Sequence, residues 1–203
     1  MTKLSIGIAI PAYDFGLGNG INLSSNVKVG TNIAAEASYF YNWHYGVGFM
    51  LNYNVNPIDE SRLADAYMEL SPAFTSVSAN AESFRDIAGL GGFLFDLPVN
   101  DYFSLTFKMM GGLRNLYKPT AHIKTTTAFS TVNYYETHNN QMVVAFLFSG
   151  GAKMIINENF NVHFNASYMG SNFDFEYKRN SKVIKQSAHV GVLNFTVAVS
   201  YSF

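Results

Sequence analysis

The chain has 203 residues, of which 48% are apolar, 16% are aromatic and only 13% are charged, with a net charge of -1. An average soluble domain carries about 25% charged residues, so few groups are available to solvate a surface. The near-neutral charge excludes the basic surface typical of nucleic-acid binding, and the absence of cysteine excludes a disulfide framework or a thiolate metal site. We therefore expect a single domain, residues 1–203, with no nucleic-acid partner, metal or cofactor.

The longest unbroken apolar run extends from Met142 to Phe148, far short of the roughly 18 residues that a membrane-spanning helix needs. The N-terminal sequence MTKLSIGIAIPAY lacks the charged region, apolar core and cleavage site of a secretory signal. Two alternatives follow from this: a cytoplasmic protein, or the mature form of an exported chain that carries a new initiating methionine.

Large apolar residues alternate with small or polar residues along most of the chain, which predicts β-strands. Eight stretches have this pattern, and in the clearest of them Tyr45, Val47 and Phe49 oppose Gly46 and Gly48. The first four predicted strands cover residues 4–10, about 27–41, 45–55 and 87–95, and the last four cover residues 103–114, 142–155, 160–170 and 194–203.

The predicted connections alternate between short and long. Residues 42–44, 96–101 and 156–159 form the short ones, whereas about 11–26, 56–83, 115–140 and 171–187 form the long ones. Short and long connections therefore lie at opposite ends of an up-and-down meander. This is the plan of an all-β, eight-stranded antiparallel transmembrane β-barrel with three short periplasmic turns and four long external loops.

The alternative is a soluble ligand-binding β-barrel, in which the apolar face points inward and the polar face meets water. The non-aromatic face here is rich in Gly, Ala, Ser and Asn and contains few charges, so it is poorly suited to a solvated exterior. Small polar residues do suit the narrow interior of an eight-stranded barrel. The opposite sidedness, with the apolar face toward lipid, is therefore favoured.

Aromatic residues concentrate beside the short turns, with Trp43 and Tyr45 near the first and Tyr201 and Phe203 at the chain end. Amphipathic rings are favoured at a membrane interface, so these residues are predicted to form a periplasmic aromatic girdle. An apolar face carried to the last residue also implies that the last strand pairs with the first, since a closed barrel leaves no edge unpaired in lipid.

Three segments, NDYFSLTFKMMGGL, ENFNVHFNASY and the closing GVLNFTVAVSYSF, resemble strands of the small eight-stranded outer-membrane barrels of the outer-membrane protein X and outer-membrane protein A transmembrane-domain type. The terminal Phe203, with Tyr201 before it, is similar to the C-terminal signature that the outer-membrane assembly machinery recognises in that family. The resemblance implies a monomer in the outer membrane that contacts its lipids and lipopolysaccharide. It says little about activity, because these barrels share a scaffold and differ in their loops.

Polar and charged residues on the small-residue face are predicted to line the lumen: Glu36, Asn52, Lys108, Lys153 and His163. An unpaired charge in this confined space is costly, so Glu36 is expected to pair with Lys108 or Lys153. Such a pair has two interpretations, a gate in a narrow pore or a plug that makes the barrel rigid. Precedent in similar barrels favours the plug.

His163 and Ser167 raise the hypothesis of a hydrolase, since some small outer-membrane barrels modify lipid A. A nucleophile needs its base within hydrogen-bonding reach, whereas residues four apart on a strand are about 13 Å apart. Catalysis is therefore disfavoured, and no catalytic residue is assigned.

Two features are predicted in the long loops. Lys178, Arg179, Lys182 and Lys185 form a basic external loop that either binds anionic head groups or is simply solvated. The stretch DESRLADAYMEL has apolar residues at helical spacing after a capping-type Asp59 or Ser61, which predicts a short helix over the barrel mouth.

The sequence thus predicts a non-enzymatic outer-membrane β-barrel whose surface loops serve adhesion, recognition or envelope integrity. An unknown extracellular partner follows from this interpretation. A narrow channel for small or apolar solutes is the alternative, and a lipid A-modifying enzyme is the third.

Overall fold

The structure is a computed structural model, and it describes residues 1–12, 26–69, 71–117, 119–136, 140–179 and 182–203. Strands dominate these ranges, and one α-helix lies among them. In chain order the elements are β1 (Thr2–Ala12), β2 (Gly30–Phe40), β3 (Tyr45–Asn56), α1 (Glu60–Met68), β4 (Phe74–Ala81), β5 (Phe84–Asn100), β6 (Phe103–Tyr117), β7 (Ala121–Thr127), β8 (Thr131–Glu136), β9 (Gln141–Ile155), β10 (Phe160–Arg179) and β11 (Lys182–Tyr201).

Within the described ranges, eight of the strands close into an antiparallel barrel in the order β1-β11-β10-β9-β6-β5-β3-β2. β1 and β11 close it with an unbroken register from Thr2 opposite Tyr201 to Ala12 opposite Gly191. The predicted eight-stranded barrel is therefore confirmed. The last strand keeps its apolar alternation as far as Tyr201 because it pairs with the first strand up to that residue.

The sidedness follows the predicted alternation. On β1, Leu4, Ile6 and Ile8 point outward and are 69%, 60% and 47% exposed, whereas Lys3 and Ala9 point inward and are buried. Because the apolar face is the outer face, the outer surface matches a lipid environment and not water. No helix in the described ranges has both the length and the hydropathy to cross a membrane.

Several barrel strands are longer than predicted, and they extend into two of the predicted connections. The turn assigned to residues 96–101 is mostly strand, since β5 continues to Asn100 and β6 starts at Phe103. The long loop assigned to residues 171–187 is instead an antiparallel hairpin, in which β10 and β11 stay paired as far as Arg179 opposite Lys182. Backbone pairing therefore continues past the point where the residue alternation weakens.

The remaining elements form what we call the distal layer, consisting of α1 and the three-stranded sheet β4-β7-β8. The layer comes from the connections β3–β5 and β6–β9, which lie at the end of the barrel opposite the short turns. We call this the long-loop end. The helix was predicted and is present, but the sequence analysis assigned the three strands to loops.

Candidate functional site: the lumen and the distal layer

Three buried charges meet in the lumen, contributed by β1, β2 and β6. One carboxylate oxygen of Glu36, Oε2, accepts a hydrogen bond of 2.5 Å from Lys108 and contacts Lys3 at 2.9 Å. The side chains are 1%, 7% and 4% exposed, respectively. Lys3 lies directly opposite Glu36 in the β1–β2 register, whereas Lys108 lies on a strand that does not neighbour β2. The cluster thus ties two parts of the wall together.

Lys153, the alternative partner suggested for Glu36, pairs with Asp96 instead. The sequence analysis had placed Asp96 in a turn. Because β5 continues past that position, the Asp96 side chain points into the lumen and is 6% exposed as a residue. The expected Glu36–Lys108 pair is present. The contact of Lys3 with Glu36 and the contact of Asp96 with Lys153 were not expected.

A second network lies toward the long-loop end and was not predicted. Arg114 is fully buried and donates to Asp86 at 2.7 Å and to the Ser171 hydroxyl at 3.2 Å. Asn54 donates to Asp86 at 3.1 Å. Asn32 donates to Asn54 and also to Asn52, each at 2.7 Å. Asn52, predicted in the lumen, is therefore linked by amide contacts to the Arg114–Asp86 pair.

His163 is buried in the lumen, and its Nε2 is 2.8 Å from the Ser200 hydroxyl. Ser200 also accepts a hydrogen bond from Asn161 at 3.3 Å. Nδ1 of His163 has no hydrogen-bond partner within the described residues, so no orienting carboxylate completes a catalytic arrangement there. Ser167 is not the partner of His163, and the pair that does form is enclosed by the barrel wall.

The rest of the lumen contains large apolar side chains. Leu90, Leu94, Met110, Leu147 and Met169 are each 5% exposed or less and form one buried cluster. Between this cluster and the Glu36 ion pairs lies a cavity of about 20 Å³, about the space that one water molecule requires. Apolar side chains thus occupy this part of the lumen, beside charges that are held in ion pairs.

The predicted girdle residues lie on the outer surface at the short-turn end. Trp43 and Phe203 are each 87% exposed, and Tyr45 and Tyr201 are 49% and 41% exposed. The Tyr201 ring contacts that of Phe203 with centroids 5.8 Å apart. Exposed aromatic rings therefore gather on the outer surface at this end of the barrel.

The basic external residues lie on strands and not in an irregular loop. Lys178 and Arg179 belong to β10, and Lys182 and Lys185 belong to β11, on either side of the hairpin tip. Their side chains lie outside the described residues. Their backbone positions place them together at the end of the β10–β11 hairpin.

The distal layer has its own small core, formed by Ile58, Leu63 and Ala121 with the partly buried Phe84 packed against them. Asp59 caps α1, accepting a hydrogen bond from the Arg62 amide at 3.3 Å. Of the two capping candidates given by the sequence, Asp59 and Ser61, Asp59 is the cap. A helix with both a cap and a buried face is a folded element and not a random loop.

Asp59 also links the end of the β1–β2 connection to the helix. Its carboxylate contacts Lys28 at 3.2 Å and accepts from the Ser61 hydroxyl at 2.7 Å. The Ser61 hydrogen bond, with the Arg62 amide and Lys28, lowers the pKa of Asp59 to about 2. Within the described residues, no group of His, Asp or Glu side chains is arranged to hold a metal ion.

No protein-family model and no curated protein matches the chain. Among solved structures it is similar to neisserial surface protein A, with a TM-score of 0.54 and 10% identity over 100% of this chain and 96% of that chain. It is also similar to Ail, the attachment invasion locus protein of Yersinia pestis, with a TM-score of 0.45 and 17% identity over 100% and 97% of the two chains. A major outer membrane protein from Thermus thermophilus has a TM-score of 0.47 and 10% identity over all of both chains.

At 10% identity, the similarity to neisserial surface protein A establishes the fold alone. Together with the closed barrel, it confirms that the chain has the fold of the small eight-stranded outer-membrane β-barrels. The architecture inferred from the residue alternation is therefore correct. The fold leaves the activity open, since these scaffolds differ in their loops.

Proposed function

We propose that the chain is a non-enzymatic protein of the outer membrane of Gram-negative bacteria that recognises an extracellular partner through its distal layer. The observation that carries the proposal is that the two long connections fold into one layer with its own buried core. A connection that served only to join strands would not need a helix, a sheet and a core. The barrel is then the anchor that presents this layer.

The location rests on the outward apolar band and on the girdle. The lumen argues against transport, because its charges are paired and an apolar cluster of Leu and Met side chains occupies the remaining space. The lumen also argues against lipid A modification, since the His163–Ser200 contact lies inside the barrel and not on its lipid-facing surface. Lys178, Arg179, Lys182 and Lys185 at the β10–β11 hairpin are suited to lipopolysaccharide phosphates. The terminal Phe203 is suited to recognition by the assembly machinery.

The test is an adhesion assay with bacteria that express the chain or a variant lacking the distal layer. In that variant, short Gly-Ser links replace residues 59–82 and 119–139, which leaves every barrel strand intact. We expect the variant to assemble, as judged by a heat-modifiable band on an unheated gel, but to lose adhesion. Adhesion equal to that of the parent would show that recognition does not depend on the distal layer.

The same two strains, together with a third from which the whole gene is deleted, separate recognition from a role in envelope integrity. If the barrel serves the envelope alone, deletion of the whole gene sensitises cells to detergent while the variant without the distal layer protects them fully and adhesion is unaffected. For the enzymatic alternative, labelled lipid A is incubated with the refolded protein and with His163→Ala and Ser167→Ala variants. Turnover that depends on these residues would contradict a non-enzymatic role.

A further inference from the structure

One side chain of the distal layer is exposed to an unusual degree. Phe129 lies at the turn between β7 and β8 and is 99% exposed, with Ala128 and Ser130 on either side of it also exposed. The exposed aromatics of the barrel strands and short turns, such as Phe49 and Trp43, are covered by lipid or by a membrane interface. Phe129 belongs to the distal layer and not to a barrel strand or a short turn, and an apolar side chain held this way indicates a contact surface.

The turn that presents Phe129 is held by hydrogen bonds that involve Thr127 and Ser130. The Thr127 amide donates to the Ser130 carbonyl at 2.8 Å, and the Thr127 hydroxyl donates to the same carbonyl at 3.1 Å. The amides of Phe129 and Ser130 donate to the Thr127 hydroxyl oxygen at 3.3 and 3.1 Å. These backbone donors beside the ring are therefore occupied inside the turn.

Because these amides already have hydrogen-bond partners, the tip is suited to contact with an apolar phase. A backbone amide that enters an apolar phase without a partner costs several kcal/mol. Here the amides of Phe129 and Ser130 keep their partners when the tip leaves water. The amides of Phe129 and Ser130 therefore do not oppose entry of the tip into an apolar phase.

Charge supports the same conclusion. The stretches 71–81 and 125–133, which form β4, the end of β7 and the start of β8, contain no charged residue. The charged residues closest to them in sequence are Glu69, Glu82, Lys124 and Glu136. An uncharged tip gains nothing from an anionic surface and is not repelled by a zwitterionic one.

Distance separates the tip from the start of the distal layer. β7 begins at Ala121, whose cluster packs with Phe84 at the start of barrel strand β5. Six residue steps from there to Thr127 correspond to about 20 Å along the strand. The tip therefore lies at the far end of β7 from the point where the distal layer meets the barrel.

From these observations we propose that the β7–β8 tip is a membrane-contacting wedge, in which Phe129 inserts into the interface of a zwitterionic phospholipid bilayer facing the long-loop end. The contact of one copy is weak, and many copies on one surface strengthen it through multivalency. This inference rests on the proposed function and deepens it, since it names a phospholipid surface as the partner of the distal layer.

The test uses the protein in nanodiscs and separate phosphatidylcholine vesicles with brominated acyl chains, which quench nearby tryptophan. The probe is the variant Phe129→Trp combined with Trp43→Phe, because Trp43 is the only native tryptophan. The matched control is Tyr102→Trp in the same background, since Tyr102 is 76% exposed but lies at the short-turn end. A separate measurement on the wild-type protein uses Trp43, which faces the lipid of the nanodisc, to report any exchange of lipid between disc and vesicle.

We expect the vesicles to quench and blue-shift the tryptophan introduced at position 129, while the one introduced at position 102 and the native Trp43 are unaffected. In the native background, Phe129→Ser should reduce the vesicle partition coefficient roughly tenfold, the loss that corresponds to burial of part of one aromatic side chain. Equal quenching at positions 129 and 102, or a partition coefficient unchanged by Phe129→Ser, would overturn the proposal. Binding only to vesicles that also carry membrane proteins would assign the tip to a protein pocket and would likewise overturn it.

The outcome is separable from that of the proposed function. A heat-modifiable barrel whose distal layer still supports cell adhesion, but whose probe at position 129 is not quenched, would remove the lipid contact and leave the recognition function in place. Loss of both adhesion and vesicle binding on replacement of residues 119–139 alone, with the barrel intact, would support the two together.

Discussion

Removal of the Glu36 carboxylate tests most sharply whether the lumen is held by its ion pairs. Glu36 contacts two ammonium groups, at 2.5 Å from Lys108 and 2.9 Å from Lys3, and all three side chains are less than a tenth exposed. At an effective dielectric constant of about 20, each contact corresponds to a gross attraction of about 6 kcal/mol. Desolvation of three charges offsets most of this attraction.

The substitution Glu36→Gln keeps the shape of the side chain but leaves two ammonium groups without an anion. Because both contact the same oxygen, their nitrogen atoms are no more than 5.4 Å apart, the sum of 2.5 and 2.9 Å. Their mutual repulsion is then at least about 3 kcal/mol at the same dielectric constant. We expect the free energy of unfolding to fall by about 4 kcal/mol, the usual cost of removing one partner from a buried pair.

The assay is urea unfolding of the protein refolded into lipid vesicles, read as the fraction of heat-modifiable band and as far-UV circular dichroism. The matched variant is Lys108→Met, which leaves Glu36 its Lys3 partner and should cost clearly less. The triple replacement of Lys3, Glu36 and Lys108 by Met should restore most of the stability, since a packed apolar substitute is often as good as a buried pair. A Glu36→Gln variant within about 0.5 kcal/mol of the parent would refute the reasoning.

Three further predictions concern closure, capping and assembly. A Cβ atom at Gly7 would overlap the Phe195 carbonyl oxygen, so Gly7→Ala should lose most of the folded band on an unheated gel, whereas Gly111→Ala, whose nearest atom is 3.9 Å away, should keep it. The pKa of Asp59 is lowered to about 2, so its carboxylate should stabilise α1 fully above the ordinary pKa of an aspartate and lose that contribution as the pH falls through about 2. Amide exchange in α1 should therefore rise in that range. The Asp59→Ala variant should show fast exchange already at neutral pH. Phe203→Ala should change the urea midpoint of the refolded protein little, because the ring is 87% exposed, but should strongly reduce the amount assembled in cells; equal assembly would contradict its role as a signal.

The barrel could be predicted because successive residues along each of its strands face lipid and lumen in turn. This alternation led to the eight strands, the closure of the last strand on the first, and the sidedness of residues such as Phe49, which is 54% exposed, and Asn52, which is buried. Lipid permits few apolar exceptions on the outside of a barrel, so the pattern is stronger there than in most soluble sheets.

The charges missed in the lumen lie at or just beyond the ends of the predicted strands. Lys3 continues the inward alternation of β1 by one step from Ser5, and Asp96 does the same on β5 after Leu94. Arg114 is the last residue of its predicted stretch and lies two inward steps beyond Met110 on β6. The alternation of the sequence therefore predicts that these three side chains point into the lumen. The partner of Asp96 was not predicted, because Lys153 lies on β9, which does not neighbour β5. The Glu36–Lys108 pair, by contrast, is one of the two pairs that the sequence predicts.

The sheet of the distal layer was harder to predict for a different reason. β7 and β8 are seven and six residues long, and polar Thr125 occupies an inward position beside Ile123. Short strands with a polar residue on the buried side do not show clear alternation. β7 and β8 pair with each other inside one connection, but β4 joins them from a separate connection, and that pairing is a tertiary property. The capped helix α1 was predictable because its signal is local.

The most direct test of the account as a whole is refolding with and without detergent, followed on an unheated gel and by far-UV circular dichroism. The account predicts a heat-modifiable band and strand-rich dichroism only when detergent or lipid is present, because the exposed outer band of residues such as Leu4, Ile6 and Phe49 needs an apolar solvent. A monomer that reaches the same folded state in plain buffer would contradict it, since such a protein would have its apolar face inside.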